Sequence, residues 1–212
     1  MISALTSTGI LPVAAAHHSK ENNAMKINWL VISGALALSG AASALNATLA
    51  KSTTAEATIV RSGEIKAAGE RNNTGALSDS VLRVVPIESK YNVGVAVVRR
   101  SQVGGRAPPD ALVHDAVTEV YQVIEGEGVL VTGGMLQSAK PLTDDSVVRE
   151  IGPSLQGTSI IGGTRHWVGP GDIVIIPPHT PHGFVEITTQ RIVYTIVRID
   201  PERVLDLRSK TH

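Results

Sequence analysis

The sequence has no cysteine, one phenylalanine, two tryptophans and three tyrosines, and no excess of either charge. Without cysteine there are no disulfides, no thiolate metal sites and no cysteine nucleophile, so any metal must be held by histidine, carboxylate or backbone oxygen. The scarcity of aromatics leaves the core to valine, isoleucine, leucine and alanine. Nineteen Lys and Arg against nineteen Asp and Glu give a net charge of zero. There is thus no basic footprint for nucleic acid and no like-charge tail. The most apolar stretch, Trp29 to Leu38, is shorter than the about 20 residues a membrane-spanning helix needs.

What is present suffices for one domain. The chain has 212 residues, 42% of them hydrophobic, and a second full domain would leave each half short of a core. Twenty glycines and eleven prolines among many β-branched residues favour short strands and tight turns.

The N-terminal region reads as an export signal. Met25-Lys26-Ile27-Asn28 starts positive, the apolar run follows, and Ala42-Ser43-Ala44 offers a small-residue cleavage site. Residues 25–44 are therefore expected to be a signal peptide, with 1–24 an extension ahead of a true start at Met25. The mature protein would be periplasmic or secreted. With no cysteine after the cleavage site it would keep no stable membrane anchor. The alternative is a cytosolic protein with a disordered tail and an alanine-rich helix. Residues 45–80 form a polar, irregular segment, with one short helix expected from Ser62 to Ala68 and Ser62 as its N-cap.

From Val81 to Glu202 the texture is that of strands. Val81–Pro86, Val93–Val98, Glu119–Ile124, Val129–Thr132, Ser159–Ile161, Asp172–Ile176 and Arg191–Ile196 are short apolar runs punctuated by Gly, Pro or Asp. Glu125-Gly126-Glu127-Gly128 reads as a hairpin turn. Leu136 to Gln156 is expected to be a long loop near a barrel mouth, and 203–212 a C-terminal tail. Without internal repeats, this predicts an all-β fold: one antiparallel sandwich or barrel.

Two stretches of this region carry the chemistry. The first is Leu112-Val113-His114-Asp115-Ala116-Val117-Thr118-Glu119, followed by Gly126. The second is Gly171-Asp172-Ile173-Val174-Ile175-Ile176-Pro177-Pro178-His179-Thr180-Pro181-His182. Together they resemble the paired motifs of the cupin superfamily. The resemblance covers about half of the chain and implies a cupin, or jelly-roll, β-barrel with a divalent metal on His114, Glu119 and His182. The chain departs from the family twice. Leu112 stands where the first motif has a histidine, and His179 where the second has a glycine.

Residues two apart on a strand share a face, so Leu112 must point wherever His114 points. Two imidazoles and a carboxylate make a facial set with open positions, suited to Fe, Mn, Zn, Ni or Co. Each residue has a second reading. His114 could simply pair with Glu119, and Glu119 could be a structural acceptor or a general base. His179 is a weak fourth candidate ligand or an exposed turn residue. Tyr121 shares the face of Glu119, as a pocket-lining catalytic candidate or a core tyrosine, and His166 reads as a rim residue. Arg99 and Arg100 end the strand ahead of the first motif, where an anion contact is open to either.

The functional expectation is an exported single-domain barrel that binds a divalent metal and acts on a small molecule, with oxygenase-like chemistry favoured by the ligand set. The alternatives are a non-catalytic small-ligand binder whose metal site has degraded, which Leu112 favours, and a purely structural barrel. A homodimer is what the resemblance implies, and no nucleic acid partner is expected.

Overall fold

The computed structural model describes residues 56–71, 75–102 and 111–208. The expected extension and signal segment at 1–44 lie outside the described residues. One helix precedes the strands, α1 (Ser62–Glu70). It is followed by β1 (Leu77–Ile87), β2 (Tyr91–Ser101), β3 (Ala111–His114), β4 (Thr118–Glu125), β5 (Gly128–Thr132), β6 (Met135–Gln137) and β7 (Lys140–Pro141). After α2 (Asp145–Ile151) come β8 (Ser154–Gly157), β9 (Ser159–Ile161), β10 (Thr164–Val168), β11 (Ile173–Ile176), β12 (His182–Ile187) and β13 (Arg191–Asp200).

Two antiparallel sheets face each other. One runs β1-β2-β13-β4-β11, the other β10-β5-β12-β3-β8-β7, and β6 and β9 make a small ribbon. Alternation explains the layering. On β13, Ile192, Tyr194, Ile196 and Arg198 are buried on one face, matched by Glu119, Tyr121 and Val123 of β4. From the other sheet Leu130, Val168, Phe184 and Ile187 meet them, so the main core lies between the sheets. The outer face of β1, β2 and β13 is covered by α1, whose Ala68 packs with Leu82, Val97 and Val193.

Three local expectations are corrected. The N-cap of α1 is Arg61, not Ser62: Arg61 has the extended backbone, and its N–H is accepted by the Glu64 side chain three residues on. The stretch Leu136 to Gln156 is not a loop but holds strand segments and α2. That helix starts where the Asp144 carboxylate accepts from the N–H groups of Ser146 and Val147, 2.9 and 3.4 Å away.

The Glu125–Gly128 turn does not close a hairpin. β4 and β5 belong to opposite sheets, and the chain crosses between them here. The crossing is held by Thr189, whose hydroxyl accepts from the Glu127 N–H at 3.1 Å, and by the Thr188 N–H donating to the Glu127 carbonyl at 3.0 Å. Gly126 sits at φ +76°, and a Cβ there would run into the Arg191 carbonyl. A hairpin and a sheet crossing share the same glycine chemistry, so the dipeptide pattern alone does not separate them. Gly126→Ala is therefore expected to lower unfolding free energy by more than about 1 kcal/mol. Urea denaturation of the two proteins checks this.

Candidate metal centre

The site begins with register. On β4 and β13, Glu119 stands directly opposite Arg198, and on β12 and β3, His182 stands opposite Leu112. One sheet thus supplies the carboxylate, the other supplies both imidazoles from adjacent strands. All three side chains are buried, and one ligand atom from each lies within 4.8 Å of the other two. His114 Nε2 and His182 Nε2 are each 3.4 Å from the same oxygen, Glu119 Oε2. A divalent ion about 2.1 Å from each ligand would set neighbouring ligand atoms about 3.0–3.4 Å apart, so the three residues fit one.

Hydrogen bonds on the far side of each ring fix its tautomer. His182 Nδ1 lies 2.9 Å from the Thr180 carbonyl oxygen, which can only accept, so Nδ1 carries the proton. His114 Nδ1 lies 2.7 Å from Ser154 Oγ, whose own proton goes to the Gly152 carbonyl at 2.9 Å. The serine oxygen must then accept from the ring. Nε2 of each ring is thereby the atom directed at Glu119. Such outer partners orient the ligands of metal sites generally.

The carboxylate is held from the other side. Arg198 Nε donates to Glu119 Oε1 at 2.9 Å, and Tyr121 donates its hydroxyl proton to Oε2 at 2.8 Å. Arg198 also pairs with Asp79 of β1 and donates to the Glu150 carbonyl at 3.3 Å. Burial by itself would push the Glu119 carboxyl up. The charges of His114 and Arg198, with the imidazole contacts, outweigh it and hold the group well below the usual carboxylate range. For Arg198 burial works against the charge, but Asp79 and Glu119 prevail and raise its pKa. Burial, then the neighbouring Glu119 charge, push the Tyr121 phenol well above its ordinary value. Tyr121 is therefore a proton donor at neutral pH and cannot serve there as a base.

The centre opens on a cavity of about 380 Å³ between the sheets, lined by His114, Glu119 and Tyr121 at the site and by Val98, Leu112 and Ile196 along its apolar walls. That volume is within the range of small-molecule sites. Leu112 does face the same space as His114, as the strand period requires.

His179 is not part of the cluster. It is exposed on the turn before β12 at φ +60°, and its N–H donates to the His114 carbonyl at 2.8 Å. It keeps a left-handed conformation of the kind glycine adopts without strain while carrying a side chain outward. His166 is half-buried on β10, 2.9 Å from Thr132 Oγ1. Arg100 points inward and lines the cavity, donating to the Tyr194 hydroxyl at 2.8 Å. The sequence reading missed Arg198, Asp79 and Ser154. Arg198 left one signal: it follows Tyr194 and Ile196 at period two, a charge on the buried face of an apolar strand.

Two facing antiparallel sheets around a buried His–Glu–His set define the class: an all-β barrel of the jelly-roll kind, the fold that the resemblance to the cupin motifs implies. The family model for the AraC-like ligand binding domain matches residues 156–212. No curated protein matches the sequence. Among solved structures, an uncharacterised double-stranded β-helix protein from Klebsiella pneumoniae is 16% identical, over 73% of this chain and 100% of its own, at a TM-score of 0.44. A cupin protein from Bacteroides fragilis is 12% identical over 57% of this chain and 75% of its own, at 0.34. An oxalate oxidase is 19% identical over 71% and 63%, at 0.40.

Removing Arg198 would leave the buried Glu119 and the half-buried Asp79 without the cation they share. Arg198→Met is expected to lower unfolding free energy by about 3–5 kcal/mol, read from chemical denaturation.

Proposed function

We propose that the protein binds a divalent metal through His114 Nε2, Glu119 Oε2 and His182 Nε2 and uses it on a small molecule held in the adjoining cavity. One observation carries this reading. Two buried imidazole Nε2 atoms converge to 3.4 Å on one carboxylate oxygen, three ligand atoms on a single point. A divalent cation takes such a set, and it would hold the three buried polar side chains together.

When bound, the metal supplies Lewis acidity and open coordination positions. The chain's own groups set the conditions around it. Arg198 keeps Glu119 ionised and occupies Oε1, so Oε2 is the oxygen offered. The Tyr121 hydroxyl holds Oε2 in place, and Ser154 and the Thr180 carbonyl hold the rings. The apolar walls of Val98, Leu112 and Ile196 receive the apolar part of a ligand. Leu112 contributes to those walls where the cupin pattern has a ligand, which leaves two nitrogens and one carboxylate. This set favours oxygenase-like chemistry, with Fe, Mn, Zn, Ni or Co as candidate metals.

A second reading, a non-catalytic barrel that captures a small ligand, is supported by the same Leu112 and by the ligand-binding family model over 156–212. Metal analysis of protein purified without added metal, with calorimetric titration of the stripped protein, separates the two. The metal reading expects a stoichiometric ion that is lost in His182→Ala. Ser154→Ala should bind it about 10–100-fold more weakly without loss of fold. Leu112→His should bind it more tightly. No metal, and a melting temperature unchanged by chelation, would overturn the metal reading in favour of the ligand barrel.

We further propose export, on the strength of the Met25–Ala44 pattern alone. In a bacterial host the mature N-terminus should then be Leu45 and the protein periplasmic or secreted. N-terminal sequencing after cell fractionation checks this, and an uncleaved cytosolic product would overturn it.

A further inference from the structure

The cavity beside the metal centre has a second polar end. Arg100 lines this cavity from β2, and its side chain is buried there rather than spread on the surface. Register places it away from the ligand cluster. Glu119 stands opposite Arg198 of β13, whereas Arg100 stands opposite Ile192, six residues back along the same strand. Six residues of strand span about 20 Å of backbone, and a long side chain recovers part of that distance. Arg100 Nε donates to the Tyr194 hydroxyl at 2.8 Å, and its guanidinium carbon lies 5.7 Å from the centre of the Phe184 ring. Tyr194 packs on Tyr121 with ring centres 4.7 Å apart, and Tyr121 in turn reaches Glu119. The Arg100 charge is near enough to act on the Tyr121 phenol, where it works against the rise that burial and Glu119 produce.

The cavity is therefore polar at two ends and apolar between them. The carboxylates along it are matched to other cations: Glu119 and Asp79 to Arg198, and Glu150 to Arg208. The negative charge in excess there lies at the metal end, where a divalent ion answers it. Arg100 sets a positive charge at the far end. Val98 stands opposite Tyr194 and Ile196 opposite Ala96, so both apolar side chains fall between the two ends in the register.

We propose that the cavity takes a small carboxylic acid with an apolar body, its carboxylate held by Arg100 and its body directed along Val98 and Ile196 towards the metal centre. The planar guanidinium matches the two oxygens of a carboxylate, and the Tyr194 and Phe184 contacts hold that plane in one orientation. An ammonium at this position would supply the charge without the fork. The assignment names the class of molecule for the cavity described above. It rests on the small-molecule reading of that cavity, which the metal enzyme and the ligand barrel share.

The test is calorimetric titration of the full chain, stripped of metal, with hexanoate and phenylacetate against hexanamide and phenylacetamide. Stripping removes direct bonding of a carboxylate to metal from the comparison. The wild type should bind each acid at least about tenfold more tightly than its amide. Arg100→Met should abolish that preference, Arg100→Lys should keep part of it, and both should bind the amides as the wild type does. Should Arg100→Met fail to fold, Arg100→Lys carries the comparison: weaker acid binding with unchanged amide binding supports the fork, and unchanged acid binding overturns it. The proposal is also overturned if neither acid binds, if the acids bind no more tightly than the amides, or if the preference survives Arg100→Met. Metal uptake is measured separately on the same proteins. Its absence overturns the metal reading and leaves the acid preference standing, whereas uptake without an acid preference overturns the acid assignment alone.

Discussion

Everything at the heart of this barrel is arranged around the charge of Glu119. A carboxylate with 2% of its surface exposed is tolerated only if its lone pairs are met, because desolvation of an ion far outweighs any single neutral contact. Arg198 meets one oxygen and Tyr121 the other. Arg198 in turn needs more than one anion, since it is buried as deeply as Glu119, and Asp79 supplies the second. The result ties β1, β13 and β4 together at one level of the sheet. The opposing sheet brings two imidazoles to what remains of the carboxylate. The fold's closure and the site's electrostatics are thus one problem with one solution.

The same frame explains why Leu112, standing where the cupin pattern has a histidine, is compatible with the cluster. The strand face is retained, so Leu112 adds an apolar wall rather than a misdirected polar group. Meanwhile Ser154 and the Thr180 carbonyl still set the two remaining rings. The His179 position shows a similar separation of backbone from side chain. The turn keeps its left-handed residue and its hydrogen bond to the His114 carbonyl, while the ring is turned out to solvent.

Much of the fold was legible because alternation and turn chemistry are local. The runs around Val93, Glu119, Val129, Ile173 and Arg191 are strands, and their inward residues are the ones that period two selects. The failures are equally physical. Ser62 has the residue type of a helix cap, but Glu64 lies three residues after Arg61 and reaches the Arg61 N–H. The Leu136–Gln156 stretch is built of pieces too short for periodicity to register. Gly126 advertises a turn without saying whether the chain returns to the same sheet. At the site, His114, Glu119 and His182 could be named from motif spacing, whereas Asp79, Ser154 and Arg198 could not. Asp79 is 40 positions from Glu119 along the chain and Arg198 is 79, and a contact of that separation leaves no local pattern.

The sequence by itself determined the barrel class, the absence of thiolate chemistry, the three candidate ligands and the apolar residue beside them. Composition and period give the barrel and the missing thiolates, and the resemblance of two short stretches to the cupin motifs implies the ligands. Tertiary structure alone decided which nitrogen of each imidazole faces Glu119, which oxygen of Glu119 is left to meet them, and which of Arg99 and Arg100 faces the inner cavity. Those outcomes depend on register between strands distant in sequence, and register is set only when both faces of a sheet find their neighbours.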